Sequence, residues 1–222
     1  MSLAGLRELK RAGKKIVAVV CWDTPLARIA DAAGVDLVSV GDSVGVNLWG
    51  QKEGEITVDE LLVVAKAVRR GVKRALLSVD VPPHEGIDAA LRIAKEAGAD
   101  MVKMLASPEV IREVVKKGVP VFAEMHGDKL NPHQLVAEAK RLEAAGAAMI
   151  DFRHSGPVAG TAVAKAVAIP VIGGLGGGPW LDGRVRRIDT LIGYPPEQPT
   201  LDALNAYADD VRSARRLKSD RA

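Results

Sequence analysis

The sequence has few cysteines and few aromatic residues for its length. Cys21 is the one cysteine among 222 residues, which excludes a disulfide framework and a zinc site built on cysteine ligands. Aromatic residues make up 3% of the chain, and the net charge is only +3, with basic residues interspersed among acidic ones. A nucleic-acid-binding surface needs a clustered basic patch, which this distribution does not provide. We therefore expect no nucleic-acid partner.

Long apolar runs are also missing. No run reaches the roughly 18 residues that a membrane-spanning helix needs, and the first residues lack the apolar segment of a signal peptide. These features predict a protein without a membrane partner that resides in the cytoplasm. Hydrophobic residues nevertheless make up 48% of the chain, so a large core can form.

The sequence does contain a regular alternation of helical and apolar extended segments. Strands are predicted to start at Ile16, Val35, Arg74, Ala99, Val119, Ala147 and Ile169. An eighth strand, interrupted by arginines, is predicted near 185–192, and a last helix over 201–218. Strict βα alternation with short links is typical of a parallel sheet with right-handed crossovers. Seven or eight such units predict an α/β fold, a (β/α)8 TIM barrel that forms one domain over residues 1–222.

Glycines stand between the predicted helices and the strands that follow them. They are Gly34, Gly71, Gly98, Gly118 and Gly146, and we predict that each ends its helix in a left-handed conformation. An open doubly wound sheet would show the same cadence of elements. No glycine-rich dinucleotide fingerprint follows the first strand, which favours the closed barrel.

Two predicted strands end in aspartate. One apolar run ends in Asp42 and Ser43, and another ends in Asp80 ahead of Pro82. In a barrel of this kind the active site lies at the carboxyl ends of the strands. Asp42 and Asp80 would supply two hard oxygen ligands that suit Mg²⁺ completed by water and a chelating 2-oxo acid, whose enolate the metal would stabilise. The alternative for Asp42 is a structural cap of the next turn.

Further polar residues follow the other predicted strands. They are Trp22, Asp23, Lys103, Glu124, His126, Asp151, Arg153, His154 and the glycine-rich stretch 173–178. Lys103, a lone cation in an apolar strand, could neutralise an enolate or a carboxylate. A lysine that reaches out to solvent and a Schiff-base lysine are the alternatives. The glycine stretch could hold a phosphate through backbone N–H groups or simply provide room.

Segments spread along the chain carry a family resemblance. They are residues 23–36, 40–45, 56–60, 67–75, 80–82, 96–103, 169–173, 178–179 and 182–185. These segments resemble the ketopantoate hydroxymethyltransferase family, most densely up to Lys103. That family belongs to the phosphoenolpyruvate/pyruvate superfamily of barrels, so the resemblance implies a (β/α)8 fold and chemistry through metal-bound enolates.

The resemblance implies roles for the strand-end residues. By it, Asp42 and Asp80 hold Mg²⁺, Ser43 helps to bind the substrate carboxylate, and Lys103 stands beside the 2-oxo acid. The implied reaction transfers a one-carbon unit from 5,10-methylenetetrahydrofolate to 3-methyl-2-oxobutanoate, on the way to pantothenate. The resemblance also implies a large homo-oligomer.

The second half of the chain departs from the family pattern at the site. The acid that follows the strand-four lysine in the family is missing, and Leu105 stands there instead. Glu124 occupies the place of a histidine, unless a one-residue shift brings in His126. The family's general base, a glutamate at the end of strand six, aligns with Arg153, which leaves Asp151 as the nearby carboxylate. Loss of such a base removes a contribution of about two to four powers of ten in rate.

Three functions fit these observations. The leading one is a Mg²⁺-dependent enzyme that forms a C–C bond on a 2-oxo acid, as a hydroxymethyltransferase or a divergent aldolase. The alternatives are a lyase, mutase or hydrolase like the isocitrate lyase and phosphoenolpyruvate mutase group, favoured by Arg153 as a clamp for a second anion, and a catalytically silent metabolite-binding barrel. The candidate catalytic residues are Lys103, Glu124, Asp151 and Arg153, and the candidate substrate-binding residues are Ser43, Asp42, Asp80, Lys103 and His126.

Overall fold

The computed structural model describes residues 1–128, 131–174, 178–193 and 197–212. Eight parallel strands form a closed barrel in which each strand pairs with the next and the last pairs with the first. The strands are β1 (Ile16–Val20), β2 (Leu37–Val40), β3 (Leu76–Asp80), β4 (Met101–Met104), β5 (Val121–His126), β6 (Met149–Arg153), β7 (Val171–Gly173) and β8 (Gly183–Arg187). The expected α/β fold of the (β/α)8 TIM-barrel class is confirmed.

Helices precede, connect and follow the strands. They are α1 (Leu3–Arg11), α2 (Thr24–Ala32), α3 (Val44–Trp49), α4 (Val58–Gly71), α5 (Ile87–Ala97), α6 (Pro108–Lys116), α7 (Pro132–Ala144), α8 (Pro157–Ala166), α9 (Ile188–Ile192) and α10 (Glu197–Arg212). Several begin at side-chain caps: the Asp23 carboxylate accepts the Leu26 N–H at the start of α2, and Thr57 and Glu60 form a capping box at the start of α4. These caps fix where the capped helices begin after their strands.

An apolar layer fills the amino-terminal half of the barrel. Its buried members are Leu6, Ile16, Ala18, Leu37, Leu76, Met101, Phe122, Met149 and Ile172. Leu6 belongs to α1, which is also held by Lys10: its Nζ donates to the carbonyl oxygens of Ala164 (2.7 Å) and Ile169 (2.8 Å) and pairs with Asp182 (2.8 Å). Helix α1 therefore lies against the amino-terminal end of the barrel, and the carboxyl end is left for the site.

The barrel closes where its first and last strands meet. Ile16 of β1 stands in register with Gly183 of β8. A Cβ atom placed on Gly183 would lie 2.7 Å from the Cβ of Ile16, which is closer than real side chains approach. Glycine at this position lets the two backbones come together.

The predicted element boundaries need two corrections. Strands β2 to β7 each begin two residues after the predicted start, because two residues lead from each helix into the sheet. The predicted eighth strand near 185–192 is wrong in its second half: β8 ends at Arg187, and residues 188–192 form α9. The last helix is confirmed as α10, although residues 213–218 of its predicted range lie outside the described residues.

The helix-ending glycines mostly behave as predicted. Gly34, Gly98, Gly118 and Gly146 have φ values between 61° and 97°, in the left-handed region. The prediction is wrong at Gly71, which is the last residue of α4 and has no positive φ. A Cβ on Gly71 would lie 2.6 Å from the carbonyl oxygen of Thr24, so this glycine is needed for the close approach of α4 to α2.

The chain divides into two compact units. Met1–Arg187 holds the barrel and helices α1 to α8, and Ile188–Ala222 holds α9 and α10. A single domain over the whole chain stays a prediction. Among the helices of the described ranges, none is long and apolar enough to cross a membrane.

Candidate active site

Polar side chains replace the apolar layer toward the carboxyl end of the barrel. Because side chains alternate between the two faces of a strand, residues two and four positions after the apolar layer also point into the barrel. They are Ser39, Ser78, Asp80, Lys103, Glu124, His126, Asp151, Arg153 and Arg187. Ser78 Oγ donates to Ser39 Oγ at 2.8 Å in the lower part of this region. The strand-end candidates therefore converge at one mouth of the barrel.

Lys103 lies at the centre of this group. Its Nζ atom is 2.9 Å from Asp80 Oδ2, 3.4 Å from Asp151 Oδ2 and 3.5 Å from Glu124 Oε2. The residue is only 8% exposed, so the alternative of a lysine reaching out to solvent is wrong. Strands β3, β5 and β6 place one carboxylate each around a single buried ammonium group of β4.

Arg153 and His126 extend the network outward. Arg153 Nη2 lies 2.9 Å from Glu124 Oε2, and its Nε lies 3.6 Å from Asp151 Oδ2. A ring nitrogen of His126, Nε2, is 2.8 Å from Glu124 Oε1. Glu124 therefore contacts two cations through one oxygen and an imidazole through the other.

These contacts set the charge states of the group. Burial by itself lowers the pKa of Lys103, but the negative charges of Asp80, Asp151 and Glu124 outweigh it and raise the pKa above its ordinary value. Burial by itself raises the pKa of Glu124, but Lys103 and Arg153 outweigh it and lower the pKa. These contacts favour a charged Lys103 and an ionised Glu124, whereas a Schiff-base lysine needs a neutral amine.

Asp80 has the opposite shift. Burial raises the pKa of this carboxyl to about 7, Lys103 opposes the shift, and the nearby charge of Asp42 adds to it. Lys103 keeps its charge when Asp80 takes up a proton because Asp151 and Glu124 still face it. Near neutral pH, then, Asp80 exchanges a proton readily, and a cation beside it would favour the ionised form.

Asp42 and Ser43 follow β2 at the same mouth. Both are partly exposed, and a Cβ on Gly41 would lie 3.1 Å from Ser43 Oγ and 3.7 Å from Asp80 Oδ2, so Ser43 and Asp80 border the same backbone position. The N-cap residue of α3 is Ser43, not Asp42, and the Ser43 side chain makes no capping hydrogen bond. The capping alternative for Asp42 is thus not realised.

The carboxylates at the mouth fit a cation with an incomplete protein shell. Asp80 Oδ1 and Asp151 Oδ1 are buried and have no hydrogen-bond partner in the described part of the chain. Among the same residues, no group of three or more histidine, cysteine, aspartate or glutamate side chains is arranged around a metal position. Asp42 and Asp80 fit a Mg²⁺ whose remaining ligands are water and substrate oxygens, which is how this ion is commonly held.

Comparison with known proteins decides the family. A family model described as ketopantoate hydroxymethyltransferase matches residues 1–216. The 3-methyl-2-oxobutanoate hydroxymethyltransferase of Trichodesmium erythraeum (strain IMS101) is 35% identical over 87% of this chain and 84% of that protein. The enzyme of the same name from Geobacillus kaustophilus (strain HTA426) is 34% identical over 84% of this chain and 76% of that protein. The chain belongs to the ketopantoate hydroxymethyltransferase family.

Solved structures agree with the fold. A phosphonopyruvate hydrolase in complex with oxalate and Mg²⁺ is 14% identical, with a TM-score of 0.74 over 99% of this chain and 92% of that one. A phosphoenolpyruvate phosphomutase from Streptomyces platensis subsp. rosaceus is 16% identical, with a TM-score of 0.69 over 97% and 89%. Members of the ketopantoate hydroxymethyltransferase family are transferases, so the expectation of an enzyme is confirmed.

The departures from the family pattern fall at the ends of β4 and β6, inside the site or at its margin. Leu105, which stands where the family resemblance predicts an acid, is 69% exposed just beyond β4. Arg153, which stands where it predicts the glutamate base, turns its guanidinium toward Glu124 and Asp151. Two of the expected carboxylates are therefore absent from their positions, and Glu124 and Asp151 supply negative charge from other places.

Sequence reasoning missed Arg187. Its guanidinium carbon lies 5.6 Å from the centre of the Trp22 ring, and its Nη1 donates to Asn47 Oδ1 at 2.5 Å. The alternation of side chains along β8 indicates its position: Val185 packs on the apolar layer, and Arg187 follows it by two residues on the same face of the strand. The arginine-rich composition of this strand hid that alternation.

The remaining candidates lie at the margin of the mouth. His154 is exposed, has a φ of 52°, and its ring centre lies 6.4 Å from that of His126. In the glycine-rich stretch, a Cβ on Gly174 would lie 2.9 Å from the carbonyl oxygen of Val185, so this glycine serves close backbone packing. Residues 175–177 of the predicted phosphate cradle lie outside the described residues.

Proposed function

We propose that this protein transfers a hydroxymethyl group to 3-methyl-2-oxobutanoate, giving 2-dehydropantoate, and that the 2-oxo acid reacts through its enolate. One observation carries the proposal: in a chain of this family, the Lys103 ammonium lies among three carboxylates at the barrel mouth, and the charge of Asp42 acts on one of them, Asp80. A cation held charged at this place suits an acid whose keto oxygen becomes negative during the reaction.

Ser43 and Lys103 orient the 2-oxo acid. The Ser43 hydroxyl, which is not used as a helix cap, donates to the substrate carboxylate. The keto oxygen faces Lys103 Nζ. When C3 loses its proton, the electron pair moves into the C2–C3 bond and the C2–O bond pair moves onto oxygen, where the ammonium stabilises it. Burial strengthens this attraction because water does not screen it.

Asp42 and Asp80 are the residues that would hold Mg²⁺. When bound, the ion supplies a Lewis acid that polarises the keto group. Two features support a cation here: Asp80 Oδ1 lacks a hydrogen-bond partner among the described residues, and the charges of Asp42 and Asp80 repel each other. Asp80 Oδ2 keeps its contact with Lys103, so this carboxylate would join both cations.

The electrophile in this proposal is 5,10-methylenetetrahydrofolate. Water cleaves both C–N bonds of its methylene carbon, which is released as formaldehyde, and the two nitrogens of tetrahydrofolate end with the two bonding pairs and the two hydrogens of the water. The enolate carbon then attacks the formaldehyde carbon, a C–C bond forms, the C=O electron pair moves onto oxygen, and that oxygen takes up the proton that C3 lost. We also propose that the protein works in the cytoplasm, and that it forms a homo-oligomer, as the family resemblance implies.

Arg153 favours a second candidate function. Its guanidinium contacts Glu124 and Asp151 and retains further N–H donors, which suit a second carboxylate or a phosphate on the substrate. A lyase, mutase or hydrolase acting on a doubly anionic 2-oxo acid would use the same enolate chemistry with a different bond broken.

The first experiment follows exchange of the C3 proton of 3-methyl-2-oxobutanoate by NMR in D₂O, with Mg²⁺ or with EDTA. We expect exchange with Mg²⁺ and a loss of at least about 100-fold in Asp80→Asn, since metal and enolate stabilisation each contribute several kcal/mol. Added 5,10-methylenetetrahydrofolate should then yield 2-dehydropantoate.

Asp88→Asn is the matched control, because Asp88 is an exposed aspartate in the first turn of α5. Its exchange rate should equal that of the wild type. Exchange of oxaloacetate or pyruvate without exchange of 3-methyl-2-oxobutanoate would favour the second candidate. Absence of exchange with all three acids would contradict enolate chemistry altogether.

A further inference from the structure

The proposed enolate chemistry needs a group that takes the C3 proton, and the carboxylates of the network are poorly suited to it. Asp151 Oδ2 lies between Lys103 and Arg153. Glu124 Oε2 lies between the same two cations, which lower the pKa of that carboxyl. A carboxylate stabilised by two cations is a weak base. Asp80 is in contact with Lys103 and serves as a metal ligand in the proposed function.

His126 differs from these groups in position and in partners. It is the last residue of β5 and follows Glu124 by two residues, so it faces the mouth one step farther out. Its side chain is 28% exposed, which leaves room for a substrate beside it. Nε2 is fixed by Glu124 Oε1 at 2.8 Å, and no residue of the described ranges bonds to Nδ1.

A carboxylate that holds one nitrogen of an imidazole prepares the other nitrogen for proton transfer. The bonded nitrogen carries the hydrogen, the ring orientation is fixed, and the charge that the ring gains is stabilised. An imidazole also accepts and releases protons near neutral pH. Glu124 meets this requirement because Lys103 and Arg153 hold its other oxygen in place.

We propose that His126, oriented by Glu124, is the general base that takes the C3 proton of the 2-oxo acid. The inference rests on the proposed function. In the step, Nδ1 forms a bond to the proton, the C3–H bond breaks, and its electron pair becomes part of the enolate that Lys103 faces. The imidazolium then returns a proton, or a deuteron in D₂O, to C3 in the exchange reaction or to the new hydroxymethyl oxygen in the transfer.

Three charged or titratable side chains lie around His126 and act on the charge of its ring. Glu124 faces it from β5, Arg153 stands in register with it on β6, and His154 follows β6 with its ring centre 6.4 Å away. Glu124 is a positioning residue in this arrangement, since it acts through His126.

The test compares His126→Asn with His154→Asn in the C3 exchange experiment with Mg²⁺. Both changes remove an imidazole from the same margin, and asparagine tolerates the positive φ of His154. We expect the maximal exchange rate of His126→Asn to fall by about 100-fold to 10,000-fold, with the half-saturating substrate concentration changed less than fivefold. His154→Asn should stay within about twofold of the wild type. Imidazole added to His126→Ala should restore part of the rate, which also shows that the variant is folded.

Three results would overturn the proposal while leaving the proposed function intact. The first is a maximal exchange rate of His126→Asn within threefold of the wild type. The second is a rise in the half-saturating substrate concentration of His126→Asn without a change in maximal rate, which would mean that His126 only binds substrate. The third is an equal loss of rate in His126→Asn and His154→Asn. A wild-type protein that exchanges no substrate would overturn the proposed function, and with it this step.

Discussion

At the scale of single residues, the site is built on charge compensation. Asp42, Asp80, Glu124 and Asp151 bring four carboxylates to the mouth, and the cations in contact with three of them are Lys103 and Arg153. Arg153 thus offsets the negative charges of Glu124 and Asp151, which the glutamate expected from the family resemblance could not do. Its contact partner Glu124 is itself a departure, because it stands at the position where a histidine was expected.

This pairing predicts that the expected glutamate cannot simply be restored. Arg153→Glu should lower the free energy of unfolding by about 3 kcal/mol, because it leaves two buried carboxylates with one cation fewer and adds a third negative charge. Urea denaturation measures the change. The double variant Arg153→Glu with Glu124→His should recover part of the loss, since the two positions contact each other.

Arg112→Glu is the control for this variant, because Arg112 is exposed on α6. A surface change of this kind should cost less than about 0.5 kcal/mol. Equal stability of Arg153→Glu and the wild type would show that the guanidinium does not compensate the two carboxylates.

The convergence of the candidate residues at one end of the barrel could largely be predicted from the sequence, but their contacts could not. Asp80, Lys103 and Glu124 each end or nearly end an apolar run, and the barrel brings such positions to one mouth. That one ammonium contacts three carboxylates depends on side-chain directions and on strand register, which a single sequence does not display. Arg187 was missed because its inward position depends on the alternation within a strand of mixed composition.

At the scale of elements, helix caps decide where each connection leaves the barrel. The α4 helix has a full capping box, in which the Thr57 side chain accepts the Glu60 N–H and Glu60 accepts the Thr57 N–H. The N-cap residue of α5 is Gly86, which has extended backbone geometry and no side chain to cap the helix. The start of α4 is therefore stabilised by side-chain caps, and the start of α5 is not.

Opposite stability changes are therefore expected at the two caps. Thr57→Ala should lower the free energy of unfolding by about 1 kcal/mol, because a backbone N–H loses its partner. Gly86→Ser should raise it by roughly 0.5 kcal/mol, because the new hydroxyl can cap α5, the unfolded chain loses freedom, and nothing lies within 4 Å of the added Cβ. Thermal or urea unfolding of both variants checks the signs, and changes of the same sign would refute the cap argument.

Element types were easier to predict than element ends. The apolar runs and the glycines after helices identified β1 to β7, whereas the exact starts depend on which residue first pairs with a neighbouring strand. The end of β8 was misplaced because an amphipathic stretch of five residues reads equally well as a strand or as a short helix. Gly71 was misread because its role comes from tertiary contact with α2.

At the scale of the whole molecule, the buried Asp80 makes stability depend on pH. Its pKa is raised from 3.8 to about 7 on folding, so the folded state binds more protons than the unfolded state between these values. The contribution of this group is fully present below about pH 4 and is lost as the pH rises to about 7.

In metal-free protein, the stability of Asp80→Asn relative to the wild type should therefore rise with pH. The difference should grow by at most roughly 1.4 kcal/mol per pH unit between about pH 4 and 7 and stay constant above that range. Urea unfolding in EDTA across this range measures it, with Asp88→Asn as a control for the removal of an exposed carboxylate. A flat difference for Asp80→Asn would show that the carboxyl is ionised throughout.

The pairing of β1 with β8 also has a consequence for synthesis of the chain. Ile16 leaves the ribosome before the other seven strands of the barrel, and its partner Gly183 is the first residue of the last strand. Until then, one edge of β1 has no partner and can join a strand of another nascent chain. The nascent barrel is therefore most exposed to aggregation just before β8 is made, when rapid delivery of the last strand or cover by a chaperone matters most.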